Sequence, residues 1–398
     1  MNRDPIVIAG AGPCGLVTAL GLARHGVPTV VLEAEPSLPQ DLRATTFHPP
    51  TLDMLAELGV AAPLIALGNV AAEWQFRDRS AGRVAAFDLA LIADETRYPY
   101  RLQCEQFHLT AVLADALRAT GEGRVEFAAR VEDVSQTDSA VTIRFRTAEG
   151  LGAIRAAYLV AADGGRSAIR KALPIAFEGF TYRERIVQAG TAFDFRTAIP
   201  DLADINYISD PEEWCVLLQI AGYWRVSFPL PPEADEEEAV GDAALQRRLQ
   251  GLVHQTGDYA LVHRRCWRIH QRVASDFHHG RIVLAGDAAH VNSPHGGMGM
   301  NSAIHDAVNL AGKLAALWKG AAAADVLDLY TRQRRFIALE DVRVQSMRNS
   351  QLMSERDAEI RRRRLDDMRR MADDPVRARR FLLESSMIAG LRKSEEIV

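Results

Sequence analysis

The chain predicts an α/β fold in which a parallel-sheet domain is interrupted by an antiparallel sheet and followed by a charged helical tail. Three observations carry this reading. An apolar run, Ile6-Val7-Ile8, leads into the glycine motif Gly10–Gly15 (GAGPCG). A second apolar run, Ile282–Ala285, ends at Gly286-Asp287 and a small-residue loop. Between Phe177 and Leu230 the texture changes to alternating segments rich in Val, Trp, Phe and Tyr, the period of antiparallel strands.

Taken in order, the first unit is a strand, a turn and a helix through Leu16, Leu20 and Ala23. Gly10 permits a tight turn, Gly12 lets the backbone approach a pyrophosphate, and Gly15 allows close helix packing. The next strand, Thr29–Leu32, closes on Glu33, about the ~20-residue spacing at which an acidic side chain meets a ribose hydroxyl. The unit reads as a dinucleotide site; a glycine-rich turn without a ligand is the alternative. The next buried strand, Tyr158–Ala162, ends on Asp163-Gly164-Gly165-Arg166-Ser167 and a short helix with Arg170. After the Ile282–Ala285 strand, the loop holds Pro294, Gly296, Gly297 and Gly299. A helical pattern starts near Asn301, with Ile304, Val308, Ala311 and Leu314 on one face. A strand, a carboxylate, a glycine loop and a helix N-terminus suit a polar, partly anionic ligand.

The inserted region has strand-like stretches at Ile186–Phe195 and Trp214–Phe228. Pro229, Pro231 and Pro232, followed by the acidic run Asp235–Glu238, mark a surface linker. From Ser354 to Leu383 the chain is dense in charge. The pairs Asp357/Arg361, Glu359/Arg363 and Asp366/Arg370 stand at i,i+4, which reads as a solvated helix. Met353, Leu365, Met368 and Leu382 would pack on the body or on another subunit.

Bulk properties narrow the function classes. At 398 residues the chain is long enough for two joined domains. A hydrophobic content of 48% and a charged content of 25% are ordinary for a globular protein. The net charge of −5 argues against a nucleic-acid surface. No apolar run reaches the ~18 residues of a membrane span, so no membrane partner is expected. The N-terminus has no signal-peptide shape. Cys14, Cys104, Cys215 and Cys266 are scattered without metal-site spacing, as are His278, His279, His290 and His295, so no metal is expected. The expected location is the reducing cytoplasm.

The three glycine-containing motifs, in this order and at this spacing, resemble the class A (single-component) FAD-dependent aromatic hydroxylases, the family of para-hydroxybenzoate hydroxylase. That family carries an N-terminal GxGxxG, a central Asp-Gly motif, and a later Gly-Asp-Ala-x-His motif followed by Pro-x-Gly-Gly-x-Gly. The resemblance covers about Ile6 to Phe336. It implies a Rossmann-like FAD-binding domain (1–73, 97–173 and 273–340), an inserted antiparallel-sheet substrate domain (74–96 and 174–272) and a C-terminal helical segment (341–398).

It also implies non-covalent FAD held by Gly10, Gly12, Pro13, Cys14, Gly15, Glu33, Ala34, Arg43, Gln106, Val131, Asp163, Gly164, Arg166, Gly286, Asp287, Pro294, Gly297, Met298, Gly299, Met300 and Asn301. Asp287 would bond the ribityl chain; a carboxylate at the C-terminal end of a parallel strand faces the ligand crevice, so the residue pattern agrees. Capping of the following turn is its other reading. Gln106 would touch the same region, or be an exposed helix-start residue. Arg43 would reach the pyrophosphate, which its planar guanidinium suits, or be an ordinary surface arginine. Asp163 and Arg166 would meet FAD and NAD(P)H. Pro294, Gly296 and Gly297 would face the flavin edge, where oriented N–H groups stabilise the reduced, anionic ring. His48 and His295 are catalytic candidates on the substrate side, as a phenol's proton acceptor or as polar wall. Tyr207, Gln219, Tyr223 and Arg225 are the candidate substrate-binding wall; Arg225 is alternatively an ion-pair member.

The implied activity is hydroxylation of a small activated aromatic or heteroaromatic, phenol-like ring with NAD(P)H and O2 through a flavin C4a-hydroperoxide. The partners are then the aromatic substrate, NAD(P)H, O2 and a second copy in a homodimer. Alternatives on the same scaffold are a quinone-precursor hydroxylase or a halogenase. A halogenase of related fold carries a WxWxIP-like motif, and Trp214, Trp224 and Trp267 stand in other contexts. An alternative of another class is a catalytically silent FAD-binding module.

Overall fold

The structure is a computed structural model that describes residues 4–398. Its first layer is a Rossmann-like sheet of five parallel strands in the spatial order Ile282–Leu284, Tyr158–Ala161, Ile6–Ala9, Thr29–Leu32, Gly123–Glu126, with His278–His279 antiparallel at one edge. Every residue of the first four parallel strands is buried, because helices and the three-stranded sheet Arg130–Ala156 share one core with them. This is why these strands read as unbroken apolar runs rather than as alternations.

The second layer is an eight-stranded sheet in the order His290–Val291, Leu261–Ala274, Phe177–Thr191, Tyr223–Leu230, Cys215–Ile220, Ile205–Ser209, Glu73–Asp78, Gly82–Asp88. It is antiparallel except where Ile205–Ser209 runs parallel to Glu73–Asp78. The early segment around Trp74 thus joins the inserted sheet. Two three-stranded sheets complete the β-structure: Arg130–Gln136 with Val141–Thr147 and Gly150–Ala156, and Thr46–Phe47 with Arg101–Gln103 and Asn69–Ala71.

Several boundaries differ from the sequence reading. The strand expected from Ile186 begins at Phe177 and ends at Thr191. The single stretch Trp214–Phe228 is a hairpin, Cys215–Ile220 and Tyr223–Leu230, turning at Ala221-Gly222 with Gly222 at φ +87. The acidic linker folds into a short helix, Glu236–Ala239, capped by Asp235. The helix expected near Asn301 begins at Met298 and runs 22 residues to Lys319, because Gly297 takes the left-handed N-cap conformation.

The tail is two helices, Ala358–Ala372 and Pro375–Ser385, rather than one, since Asp374-Pro375 restarts the helix. Of the expected charge pairs, only Glu359/Arg363 forms. Asp357 instead caps its helix by accepting from Glu359 and Ile360 N–H, Arg361 reaches Asp78, and Asp366 pairs with Arg369. Met353, Met368 and Leu382 are buried against Trp74 and Phe87, so the tail packs on the body of its own chain.

Candidate functional site

Four strand ends of the parallel sheet open on one side, and their loops build a crevice. The three glycines of the first loop divide the work. Gly10 has φ +102, and a Cβ there would stand 2.5 Å from the Ala162 carbonyl oxygen. A Cβ on Gly15 would stand 2.0 Å from the Gly10 oxygen. A Cβ on Gly12 would meet no protein atom within 4 Å. The first two hold the turn; the third leaves its surface bare toward the crevice. Glu33, at the end of the next strand, accepts the Ala11 N–H at 2.7 Å and the Glu35 N–H at 3.0 Å. The Glu33 and Glu35 carbonyls accept from Ala129 and Ala128, which brings the Ala34 turn beside the segment leading to Val131.

The central loop is tied to the last one by Arg170, which the sequence marked only as part of the short helix. Asp163 accepts the N–H groups of Ala168 and Ile169 through Oδ2, while its buried Oδ1 has no partner. Arg170 is buried, donates to the carbonyls of Gly165 and Ala288, and lies 3.7 Å from the Phe177 ring centroid. Arg166 stays exposed and Gly164 takes φ +80 in open space. Asp287 is exposed at the crevice floor, on the 3₁₀ turn Gly286–Ala288. Protein still crowds its carboxyl: burial raises its pKa and Asp306 adds to this, while His290 and Arg43 oppose it. Cys14 is buried below, and a Cβ on Gly286 would stand 3.1 Å from its Sγ.

Beneath that turn sits an ion cluster. Asp306 accepts from Gly286 N–H at 3.1 Å, contacts His290 Nε2 at 2.7 Å, and accepts from Arg334 Nε at 2.6 Å. Burial alone would raise the Asp306 pKa; His290 and Arg334 reverse this and bring it down to about 2. The cluster explains His290 as a structural member of its motif.

The glycine loop ahead of the long helix is pinned from below. Gly296 and Gly297 have φ +101 and +68, and a Cβ on Gly297 would stand 3.0 Å from Thr46 Cβ. His48 Nε2 donates to the Gly296 carbonyl at 2.9 Å, which fixes its tautomer and leaves Nδ1 bare and unpartnered. Asn301 accepts His48 N–H through Oδ1 and donates to the carbonyls of Thr46 and Gly297. Its amide, expected at the cofactor, is engaged with protein on both sides. His48 is fully buried, and burial with the Arg101 charge holds its pKa well below the usual histidine range. His295 packs edge-on to Trp214 at 4.8 Å, contacts Ser293 Oγ through Nδ1, and is pushed by burial down to about 4. Pro294 is exposed; Met298 and Met300 are buried, and Gly299 lies between them in the first helical turn.

On the remaining side, Gln106 starts the helix Gln106–Thr120, and its N–H binds the Ala44 carbonyl beside Arg43. The Arg43 guanidinium is exposed and paired with Asp41 at 2.9 Å. Of the expected substrate wall, Tyr207 stands edge-on to Trp74 at 5.6 Å. Gln219 donates to the Ile220 carbonyl and keeps Oε1 free. Arg225 and Tyr223 differ from the expectation. Arg225 pairs with buried Glu105 at 2.5 Å and donates to the Arg43 carbonyl at 2.6 Å, and the Tyr223 hydroxyl donates to the same carboxylate. Both side chains couple the inserted sheet to the Arg43 loop, the ion-pair role that was the other reading of Arg225. Surface depressions of about 400 and 410 Å³ lie beside Glu236 and Arg247, and none of their lining residues belongs to the crevice. Among the described residues no three His, Cys, Asp or Glu side chains gather as a metal site, and no helix is long and apolar enough to cross a membrane.

Comparison with known proteins agrees with this geometry. Residues 3–344 match the FAD binding domain family. The chain is 34% identical over 402 aligned positions to para-nitrophenol 4-monooxygenase of Pseudomonas sp. (strain WBC-3), covering 99% of this chain and 98% of the relative. It is 31% identical to 6-hydroxy-3-succinoylpyridine 3-monooxygenase of Pseudomonas putida (strain DSM 28022 / S16), covering 85% and 86%. Among solved structures, p-nitrophenol 4-monooxygenase from Pseudomonas putida DLL-E4 superimposes with a TM-score of 0.93 at 32% identity over 98% of both chains.

Proposed function

The chain belongs to the FAD binding domain family, and from that premise we propose that it is an NAD(P)H- and O2-dependent monooxygenase that hydroxylates a phenolic ring. The observation that carries the reading is the pinned Gly296-Gly297 loop at the N-terminus of a 22-residue helix, beside a crevice with a bare Gly12. The residues present fit FAD. Gly12 offers a surface that any side chain would fill, Asp163 Oδ1 and the exposed Asp287 carboxylate offer acceptors, and Arg43 offers a cation. Bound FAD would supply the redox and oxygen-transfer chemistry, taking electrons from NAD(P)H and passing one oxygen atom of O2 to the ring.

This chain's residues do the rest. Gly10, Gly12 and Gly15 would seat the pyrophosphate, Glu33 the ribose, and Asp287 with Gln106 the ribityl chain. The helix N-terminus and the loop N–H groups would stabilise negative charge on the reduced ring. The fully buried loop floor at His48 excludes water from one side. His48 is neutral, with Nδ1 bare, so it can accept a hydrogen bond from a phenol hydroxyl; His295, also neutral, offers a second acceptor. NAD(P)H would approach along exposed Arg43 and Arg166. The halogenase and silent-module alternatives find less support, since the full-length relatives are monooxygenases by name.

The relatives' names point to a nitrophenol ahead of a hydroxypyridine as substrate. Oxygen insertion at the ring carbon bearing the nitro group would expel it as nitrite and leave the ring as a quinone, with one NAD(P)H and one O2 consumed, which gives a specific readout. Incubation of the FAD-loaded protein with NAD(P)H, O2 and 4-nitrophenol should release nitrite in step with NAD(P)H loss. No oxygenated product from 4-nitrophenol or a panel of phenols and hydroxypyridines would overturn the reading.

A further inference from the structure

The Arg43 loop is held from the inserted sheet by a charge network that stability alone does not explain. Four consecutive carbonyls, from Leu42 to Thr45, each accept from a donor far away in the chain. Arg265 donates to Leu42 at 3.2 Å and Arg225 to Arg43 at 2.6 Å. The N–H groups of Gln106 and Cys104 donate to Ala44 at 3.1 Å and to Thr45 at 2.8 Å. The backbone is thus fixed from two sides. The Arg43 side chain is 54% exposed, and its one hydrogen-bonded partner among the described residues is Asp41. A rigid frame around a free guanidinium is the arrangement of a presented residue; an ordinary surface arginine needs no such frame.

Arg225 is in turn aimed by Glu105. The two side chains are 2% and 5% exposed, and their 2.5 Å pair leaves Arg225 Nε and Glu105 Oε2 buried without partners. Taking two charges out of water costs about as much as their attraction returns, and an apolar pair of similar volume is often as stable or more so. What the ion pair adds is direction. The carboxylate takes Arg225 Nη2, which leaves Nη1 to reach the Arg43 carbonyl. The Tyr223 hydroxyl closes the corner: it donates to the same Glu105 oxygen and accepts from Arg225 Nη2 at 2.9 Å. Glu105 stands immediately before the helix Gln106–Thr120, so the network joins that helix, the inserted sheet and the Arg43 loop. The Arg43 charge is felt in the crevice, where it opposes the rise in the Asp287 pKa.

We propose that Glu105 is a positioning residue for the dinucleotide: with Tyr223 it aims Arg225, and Arg225 fixes the Arg43 backbone so that the Arg43 guanidinium stands ready for the pyrophosphate. The inference rests on the FAD reading of the crevice. It makes the inserted sheet part of the cofactor site, because Tyr223 and Arg225 lie on one of its strands. A guanidinium held in place loses less freedom when it meets a phosphate than one on a loose loop, and that difference appears as affinity.

The test is a mutant cycle on the full-length protein, with FAD affinity read from flavin fluorescence and no turnover required. Arg43→Ala should bind FAD roughly ten- to a hundredfold more weakly, the worth of a charge-assisted bond. Glu105→Leu combined with Arg225→Met removes the pair without stranding either charge, and should lose a similar factor. Added to Arg43→Ala, the same paired replacement should cost nothing further, because it acts through Arg43. Tyr223→Phe removes one hydroxyl and keeps the ion pair. It should lose a smaller factor that likewise vanishes in the Arg43→Ala background, and it carries the comparison if the paired replacement does not fold. Losses that multiply across the two backgrounds would overturn the proposal, since they would mark the network as support for the fold at large. So would full FAD affinity in Arg43→Ala or in the folded paired replacement, with wild type still binding FAD. A wild-type protein that binds no FAD would instead sink the reading of the crevice itself.

Discussion

At the scale of single residues, the crevice depends on charges answered inside the protein. Asp306 holds Gly286 N–H, His290 and Arg334 together beneath the Asp287 turn. Asp306→Asn should cost on the order of 3–5 kcal/mol, because it strands a buried arginine, and should weaken FAD binding through the displaced turn. Denaturant unfolding and FAD titration of one sample measure both. With its pKa depressed to about 2, Asp306 contributes stability that is fully present above its unfolded value of about 3.9 and is lost as pH falls through 2. Asp287 itself should act on the ligand alone. Asp287→Ala should lose roughly ten- to a hundredfold in FAD affinity, the worth of a charge-assisted bond, with little change in the melting of the FAD-free protein.

His295 works in the same direction over a higher pH window. Its folded pKa of about 4 lies below its unfolded value of about 6.5, so the unfolded chain binds the extra proton. Stability should therefore fall as pH drops from about 6.5 to 4, and His295→Asn should flatten that part of the curve. What could be read of such residues from sequence divides cleanly. Asp287 and Glu33 were legible because they end apolar strands. Asp306, Arg170 and Arg101 were not, because each matters through partners such as Arg334, Ala288 and His48 that lie far away in the chain.

At the scale of elements, the first glycine loop offers a clean separation of fold from function. Gly15→Ala would drive a Cβ to 2.0 Å from the Gly10 oxygen, so it should unfold or grossly destabilise the protein. Gly12→Ala meets open space at an ordinary φ of −71, so the apoprotein should melt as wild type while FAD binding drops. Equal melting and equal FAD affinity in Gly12→Ala would mean that nothing docks on that surface. Strand ends with glycine, such as Ala9-Gly10 and Leu284–Gly286, were readable because the parallel sheet makes its strands continuously apolar. The Met298 start was missed because Gly297 caps the helix through backbone conformation rather than through a side chain. The start of the long strand at Phe177 was missed because its first half, burial pattern mixed and exposed, lacks a clear period.

At the scale of the whole molecule, the charged tail is a clamp on the inserted sheet. Arg379 binds Asp94 and Glu95, and Arg361 reaches Asp78. The weight is carried by apolar contact, with Phe381 4.8 Å from Phe87 and 5.7 Å from Trp74. Phe381→Ala should therefore cost about 3–5 kcal/mol in denaturant unfolding, whereas Arg379→Ala, which removes only surface ion pairs, should cost far less. Sequence patterning showed that the tail was helical and placed the Glu359/Arg363 pair, but it misplaced the other two, since local i,i+4 spacing cannot see partners such as Asp78 on a distant strand. The joining of Glu73–Asp78 to Ile205–Ser209 in one sheet was likewise beyond local periodicity.

The measurement that bears most directly on the whole account follows NAD(P)H, O2 and peroxide together in the FAD-loaded protein. NAD(P)H oxidation should be slow alone and accelerate when 4-nitrophenol or another accepted phenol is added, with one O2 consumed and one ring oxygenated per NAD(P)H and little peroxide. Gly297→Val, which forces a branched side chain onto Thr46 at a left-handed φ, should suppress that acceleration. Oxidation that ignores every phenol offered and returns all of its O2 as peroxide would contradict the assignment of this crevice as the site of an aromatic monooxygenase.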